Sequence, residues 1–363
     1  MEKKESPNCS SVDNYITPND ETMELLQTLE QLTNWHGRPL VKYDGVWYPL
    51  GILRPLLSIQ KYFKAKDGDI ILVSFPNRDH RLKALTFSIV NRNDQNISLL
   101  TSNNPHGLVP FLGFDLYLRQ ENPDLQHLSS PRIFSTHIPF KSLPESIRET
   151  ECKVIYICRN PLDQFISHLH FFLENTKKND SVPLLELDEY FDMYCQGIHP
   201  FGPICDHMLG YWDAHLENPE KVLFLKYEDL KQDTAFHIKK IAGFLGCPFS
   251  VEEEKQGVIE EISRLCSFEN LKNLEVNKTG HIGVVKKSSF FRKGEVGDWT
   301  NYLTPAMAER FENMMESKLE GSGGDNSLPS VNIQESHSTM GINSESTNEG
   351  DDDFGGEDIR QQW

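Results

Sequence analysis

Residues 70–87 read "IILVSFPNRDHRLKALTF", and this stretch decides the fold. Its first six residues form a near-continuous apolar run, which is typical of a strand buried on both faces of a parallel sheet. A short polar turn and the start of an amphipathic helix follow. Nucleotide-binding proteins hold phosphates at such a strand–turn–helix junction, yet the turn "PNRDHR" contains no glycine. The rest of the chain must show what kind of turn this is.

The buried-strand pattern recurs in "KVIYICR" (153–159) and in "KVLFLKYED" (221–229). Each is followed by a predicted helix, over 161–175 and over 228–245 respectively. Alternating strands and helices predict an α/β fold, a single domain with a central parallel sheet flanked by helices. Ligands of such sheets bind outside the carboxyl ends of the strands. We therefore expect the functional residues to follow the strands directly.

Composition limits the function classes. The formal net charge of −18 over 363 residues argues against a general nucleic-acid binder. The seven scattered cysteines include no C-x-x-C pair, which favours reduced thiols in the cytoplasm and no metal site. No signal peptide is visible, and no apolar run reaches the roughly 18 residues of a membrane helix. The sequence thus predicts a cytoplasmic protein without nucleic-acid or membrane partners.

Three regions are predicted along the chain. Residues 1–20 are polar and form a flexible N-terminal arm, with a helix within 17–32 capped by Asn19 or Asp20. Residues 21–320 form the folded domain. Residues 321–363 hold seven glycines, nine acidic residues and one basic residue. That composition cannot bury enough apolar surface to offset chain entropy, so it predicts an acidic, disordered tail.

Arg159 closes the second predicted strand, and a helix begins at Pro161 with Ser167 about two turns further on. An arginine beside a helix N-terminus is suited to bind an anion, because guanidinium donors and free amides converge there. The structural alternative is an ion pair between Arg159 and Asp163. Spacing alone gives the two interpretations similar weight.

Two further motifs carry ionisable groups. In "SSFFRKGEVGDW" (288–299), Arg292 and Lys293 lie beside Gly294, which suits a segment that closes over a phosphate; the alternative is an exposed basic loop. His137 follows a short apolar strand and precedes Pro139. A histidine there can act as a general base, since its pKa lies near working pH, although a lone histidine is more often structural.

Taken together, these segments resemble the plant cytosolic sulfotransferases, which transfer sulfonate from 3′-phosphoadenosine-5′-phosphosulfate (PAPS) to a hydroxyl group. The resemblance runs from about Gly37 to Gly323 and includes "SPRIFSTHIPFKSLPES", "VIYICRNPLDQFISHLHF" and "FFRKGEVGDW". It implies the P-loop-like sulfotransferase fold and PAPS as co-substrate without a metal. It also implies a small hydroxylated acceptor, such as a flavonoid or a steroid, and a monomer or homodimer.

The resemblance also implies residue roles. His137 matches the catalytic base of the family, and Phe268 matches an aromatic residue near the adenine. The remaining matches concern the donor nucleotide: Arg159 and Ser167 on the 3′-phosphate, Tyr227 by the adenine, and Arg292, Lys293 and Gly294 in the segment that closes on the 3′-phosphate.

The opening turn departs from this family. Members carry Pro-Lys-Ser/Thr-Gly-Thr-Thr-Trp before Leu-Lys-Ala-Leu, whereas this chain keeps Pro76 and "LKAL" (82–85) around only five residues, Asn77 to Arg81. The lysine facing the sulfonate, the glycine, the threonines and the tryptophan are lost. Group transfer depends on alignment and charge neutralisation, so this degenerate loop predicts low turnover. Asp79 adds a negative charge. The basic residues of the turn can compensate for it in total charge, but nothing in the sequence fixes their geometry.

Two functions remain open. The first is a PAPS-dependent sulfotransferase with His137 as base. The alternative is a nucleotide-binding pseudoenzyme with little or no turnover, because the loop has lost its lysine, glycine and threonines. Divergence and a local frame fault in the gene sequence both fit a changed turn with intact flanks. A kinase is disfavoured, since the chain has no G-x-x-x-x-G-K-[ST] motif.

Overall fold

The computed structural model describes residues 20–34, 37–76, 79–93, 98–175 and 186–321. The predicted N-terminal arm up to residue 19 and the predicted tail from residue 322 lie outside these ranges. Asn77 and Arg78 of the opening turn also lie outside them.

The described residues form strands and helices in alternation. The strands are β1 (Gln31–Thr33), β2 (Pro39–Tyr43), β3 (Val46–Pro49), β4 (Ile70–Ser74), β5 (Ile133–Thr136), β6 (Lys153–Cys158), β7 (Val222–Lys226), β8 (His281–Ile282) and β9 (Val285–Lys286). The α-helices are α1 (Asp20–Thr28), α2 (Leu50–Tyr62), α3 (His80–Val90), α4 (Leu99–Ser102), α5 (Pro105–Leu108), α6 (Glu145–Glu149), α7 (Pro161–Asn175), α8 (Leu187–Cys195), α9 (Ile204–Glu217), α10 (Tyr227–Gln232), α11 (Thr234–Phe244), α12 (Val251–Lys255), α13 (Val258–Leu265), α14 (Phe268–Asn273), α15 (Glu275–Lys278) and α16 (Pro305–Gly321). A π-helical turn spans Leu112–Tyr117, and 3-10 helical turns span Phe140–Ser142, Lys287–Phe290 and Asp298–Asn301.

The central sheet has the strand order β5-β4-β6-β7, and each neighbouring pair is parallel. After β4 the chain crosses to β5 on one side and then returns to β6 on the other side. Ligands of open α/β sheets bind at the carboxyl ends of the strands where the direction of winding changes. Here that edge brings together the residues that follow β4, β5 and β6.

Apolar side chains explain why the sheet lies in the middle. All five residues of β4 are buried, and its four apolar residues alternate between two cores. Ile71 and Val73 pack in the core that includes α2, α7, α8, α9 and α16. Ile70 and Leu72 pack in the core that includes α3, α11 and α13. The predicted α/β fold, a single domain with a central parallel sheet flanked by helices, is confirmed.

The structure differs from the predicted elements in two places. The predicted helix within 17–32 ends at Thr28, because the following residues pair with β2 as β1. The predicted helix over 228–245 is interrupted at Asp233, whose carboxylate accepts a hydrogen bond from the Phe236 amide and so caps α11. Among the described residues, the helices lack the length and apolar character that crossing a membrane requires.

Candidate functional site

His137 lies directly after β5, buried at the carboxyl edge of the sheet. Its Nδ1 is 2.8 Å from the carbonyl oxygen of Ser74. A carbonyl oxygen only accepts, so Nδ1 carries the proton and Nε2 carries the lone pair. Burial lowers the pKa of His137 to about 4, since it outweighs the opposing effects of Asp79 and the Ser74 carbonyl. The imidazole is therefore neutral at working pH and can accept a proton at Nε2.

Two residues of α9 hold the backbone at this base. His207 Nε2 donates to the carbonyl oxygen of His137 (2.9 Å), and the Tyr211 hydroxyl donates to that of Ile138 (2.7 Å). The Tyr156 hydroxyl lies 3.1 Å from His207 Nδ1 and completes the network. Sequence reasoning missed this support. The available signal was the four-residue spacing of His207 and Tyr211, which places both on one helix face.

Arg159 is buried at the end of β6. Its Nη2 donates to Asp163 Oδ2 (3.1 Å) and to the carbonyl oxygen of Glu295. The predicted structural alternative, an ion pair with Asp163, is therefore present. Within the described part of the chain, however, the buried Nε and Nη1 atoms of Arg159 have no hydrogen-bond partner. The pair thus occupies one donor nitrogen and leaves two for an anion.

The segment after Phe291 is folded against α7. Asp163 accepts hydrogen bonds from the amides of Gly297 (2.8 Å) and Trp299 (3.0 Å). Asp298 is buried and pairs with both Arg292 and Lys293, the latter at 2.8 Å. Both cations are therefore paired with one shared carboxylate, although the Lys293 side chain is itself exposed. Asp298 was not among the predicted site residues, although it stands in the quoted motif.

Gly294 joins this segment to two aromatic residues. Its carbonyl oxygen accepts hydrogen bonds from the Tyr227 hydroxyl (3.2 Å) and from Lys231 Nζ (2.8 Å). The Arg159 guanidinium lies over the Tyr227 ring, 5.0 Å from its centroid. A Cβ on Gly294 would stand 2.7 Å from the ring of Phe268. Close packing and a φ of +69° both require glycine here.

Replacing Gly294 by alanine should destabilise the fold more than replacing Gly297. Both glycines have positive φ, so each substitution costs about 1–2 kcal/mol of backbone strain. Only Gly294→Ala also drives a methyl group into Phe268, and such overpacking adds about 1–3 kcal/mol. Urea unfolding of both variants measures the difference. Equal losses of unfolding free energy would show that the contact with Phe268 is unimportant.

The structure brings some of the residues predicted to bind the nucleotide into contact with one another. The Arg159 guanidinium lies over the Tyr227 ring, and the Tyr227 hydroxyl donates to the carbonyl oxygen of Gly294. Asp298 pairs with both Arg292 and Lys293. Ser167 is buried on α7. In the described ranges, no hydrogen bond joins Ser167 to Arg159.

The opening turn is held at both ends. Gln164 Nε2 donates to the carbonyl oxygen of Pro76. At the other end, Arg81 Nη2 donates to Thr234 Oγ1 (2.7 Å), and the His80 ring lies 5.0 Å from that of Phe291. These contacts hold Arg81 beside Thr234 and His80 beside Phe291.

Comparison with known proteins gives the class. A sequence profile described as the sulfotransferase domain matches residues 68–323. Cytosolic sulfotransferase 5 of Arabidopsis thaliana is 46% identical over 312 residues, which is 84% of this chain and 96% of that protein. Cytosolic sulfotransferase 15 of the same plant is 46% identical over 312 residues, 84% of this chain and 86% of that protein.

Solved structures agree. An Arabidopsis thaliana putative steroid sulphotransferase superposes with a TM-score of 0.66 at 35% identity, covering 89% of this chain and 100% of that chain. A mouse sulfotransferase complexed with PAP (3′-phosphoadenosine-5′-phosphate) superposes with a TM-score of 0.60 at 27% identity. The match covers 78% of this chain and 96% of that chain. The chain belongs to the sulfotransferase family. The predicted resemblance to the plant cytosolic members is confirmed, and the names of these relatives support the predicted cytoplasmic location.

Proposed function

We propose that this protein transfers a sulfonate group from PAPS to the hydroxyl of a small plant metabolite, such as a flavonoid or a steroid. The observation that carries the proposal is the buried, neutral imidazole of His137, whose tautomer is set by the Ser74 carbonyl. A proton acceptor fixed in this way at the ligand-binding edge of the sheet suits general base catalysis.

The proposed step is a single displacement. His137 Nε2 takes the proton of the acceptor hydroxyl while that oxygen forms a bond to sulfur. The bond from sulfur to the donor phosphate oxygen breaks, and 3′-phosphoadenosine-5′-phosphate (PAP) leaves with the bonding electron pair. His207 acts as a positioning residue, because it holds the backbone of His137.

The residues of this chain fit the nucleotide end of the donor. Nε and Nη1 of Arg159 and Nε of Arg292 are buried without hydrogen-bond partners in the residues described. An unsatisfied buried donor costs about 1–3 kcal/mol, and phosphate oxygens would remove that cost. We assign the 3′-phosphate to Arg159, Ser167, Arg292, Lys293 and Gly294. We assign the adenine to the neighbourhood of Tyr227 and Phe268.

The sulfonate end fits less well, and this favours a second candidate function. Asp79 places a buried carboxylate in the turn, paired with Lys83 at 2.9 Å. A fixed negative charge beside an anionic group opposes its binding. The second candidate is therefore a protein that binds the nucleotide but turns over slowly or not at all.

Transfer of labelled sulfonate from PAPS to a panel of plant phenols and sterols tests the proposal. The full chain should be assayed at a nucleotide occupancy measured independently by calorimetry. We expect PAP to bind and transfer to be slow but measurable. Bound nucleotide without any transfer would select the second candidate, and absence of nucleotide binding would reject both.

The protonation state of His137 can be tested without turnover. Its pKa lies near 4 rather than at the ordinary 6.5, so the ring stays neutral until the pH falls well below neutrality. Nitrogen NMR should show a protonated Nδ1 and a bare Nε2 from about pH 8 down to about pH 5. A His137→Gln variant assigns the resonances. Titration near pH 6.5 would contradict the buried, neutral base.

A further inference from the structure

A buried cluster of charged and polar side chains lies between the opening turn and α5. Lys83 Nζ is 2.9 Å from Asp79 Oδ2 and 2.8 Å from His106 Nδ1. His106 Nε2 is 3.8 Å from Asp79 Oδ1. Asp79 is 3% exposed and Lys83 is 0% exposed. Three polar groups are thus packed together where the family binds an anion.

The charges in this cluster are assigned by its contacts. Burial alone raises the pKa of the Asp79 carboxyl, but the Lys83 ammonium outweighs this effect, so the pKa lies below its usual range. Burial and Lys83 hold the pKa of His106 well below its ordinary value. Asp79 is therefore a carboxylate, and His106 is a neutral acceptor for the Lys83 ammonium. The Lys83 ammonium is paired with the buried carboxylate of Asp79.

Lys83 and the proposed base His137 both lie against the ring of Phe111. Lys83 Nζ lies 5.6 Å from the centroid of the Phe111 ring, and the ring of His137 lies 4.6 Å from the same ring. Asp79 occupies the N-cap position of α3 without capping the helix through its side chain. Its carboxylate turns instead to Lys83. A helix N-terminus and a buried ammonium both favour an anion at this position.

We propose that Lys83 is the cation that receives the sulfonate in this chain, in place of the lost loop lysine, and that Asp79 competes with the sulfonate for it. Asp79 thus acts as an internal anion that lowers the affinity for the reacting end of the donor. The inference rests on the proposed function, because it concerns the same donor at the same site.

Three ligands separate the two ends of the donor. Adenosine 3′-phosphate carries the 3′-phosphate alone, PAP adds the 5′-phosphate, and PAPS adds the sulfonate. In the unaltered full chain, calorimetry should show PAPS binding no tighter than PAP, since Lys83 is occupied. PAPS binding at least tenfold tighter than PAP would overturn the inference without any variant.

Asp79→Ala removes the carboxylate and opens its space, and Asp79→Asn removes the charge while keeping the shape. Because Lys83 is then free to make a charge-assisted contact with the sulfonate, the affinity for PAPS should rise about tenfold or more in Asp79→Ala. The rise in affinity should be smaller in Asp79→Asn. The affinity for adenosine 3′-phosphate should change less than about twofold, because that end lies at Arg159. Glu261→Ala is the matched control, since it removes a paired carboxylate on the exposed surface.

Adding Lys83→Gln to Asp79→Ala should abolish the gain for PAPS. A gain that persists without Lys83, or a PAPS affinity unchanged by Asp79→Ala, would overturn the inference while leaving the proposed function in place. If Asp79→Ala does not fold, the comparison of PAPS with PAP in the unaltered chain still decides. Failure of every chain to bind any nucleotide would reject the proposed function and this inference with it.

Discussion

Turnover should rise at least about a hundred- to thousandfold when residues 77–81 are replaced by the six-residue family turn Lys-Thr-Gly-Thr-Thr-Trp. The new lysine neutralises charge on the transferred group, and the glycine and threonines restore a cradle of donors. The exchange also removes Asp79, so Lys83 loses its competing carboxylate. The measurement is sulfonate transfer at saturating PAPS, with nucleotide occupancy determined separately.

The matched control is the same six-residue turn with methionine in place of its lysine. It keeps the loop length, the glycine and the threonines, so the difference between the two repaired chains isolates the lysine charge. We expect part of the gain to be lost in this control, since Lys83, freed from Asp79, still offers a cation to the sulfonate. Comparable turnover by the unrepaired chain would show that its own residues already supply the charge, and the interpretation of a degenerate loop would be wrong.

His137→Ala should lower transfer by about a hundred- to ten-thousandfold, the usual contribution of a positioned general base. The loss arises because the acceptor hydroxyl must then release its proton to water. The repaired chain is the best background, since its larger signal allows the whole loss to be measured. The affinity for PAP should stay within about twofold, because the proposed nucleotide contacts lie at Arg159 and Tyr227.

An exposed histidine provides the control for this prediction. His127 is exposed on the surface, and its replacement by alanine should leave transfer unchanged. The transfer rate of His207→Ala should lie between those of His127→Ala and His137→Ala. The substitution removes a hydrogen bond to the His137 backbone and not the base itself. Transfer that survives His137→Ala would reject the assignment of the base.

The two ends of the proposed donor site differ in how the chain has kept them. At the nucleotide end, Arg159 retains two buried donor nitrogens that have no hydrogen-bond partner among the described residues, and Gly294 retains the packing that only glycine allows. At the proposed sulfonate end, the Asp79 carboxylate is paired with Lys83. This contrast explains why nucleotide affinity and turnover are expected to respond separately to substitution.

Most of the fold was predictable from the sequence. The apolar runs at 70–75 and 153–159 became β4 and β6, and the helix predicted at 161–175 matches α7. Such runs are reliable because a strand buried on both faces needs apolar side chains throughout. The helix over 228–245 was predicted as one piece because its periodicity continues across Asp233. Its interruption depends on a local hydrogen bond to the Phe236 amide.

The sequence by itself determined the parallel sheet, the edge where we expect ligands to bind and the residue types present there. Only the tertiary structure decided which of those residues meet. Arg159 pairs with Asp163 and still keeps two donors, Asp298 holds both cations, and Asp79 takes the charge of Lys83. Periodicity reports which side chains are buried, because burial depends on the local backbone. Partnership between buried polar groups depends on how elements distant in sequence pack, and that information is absent from any single stretch of the chain.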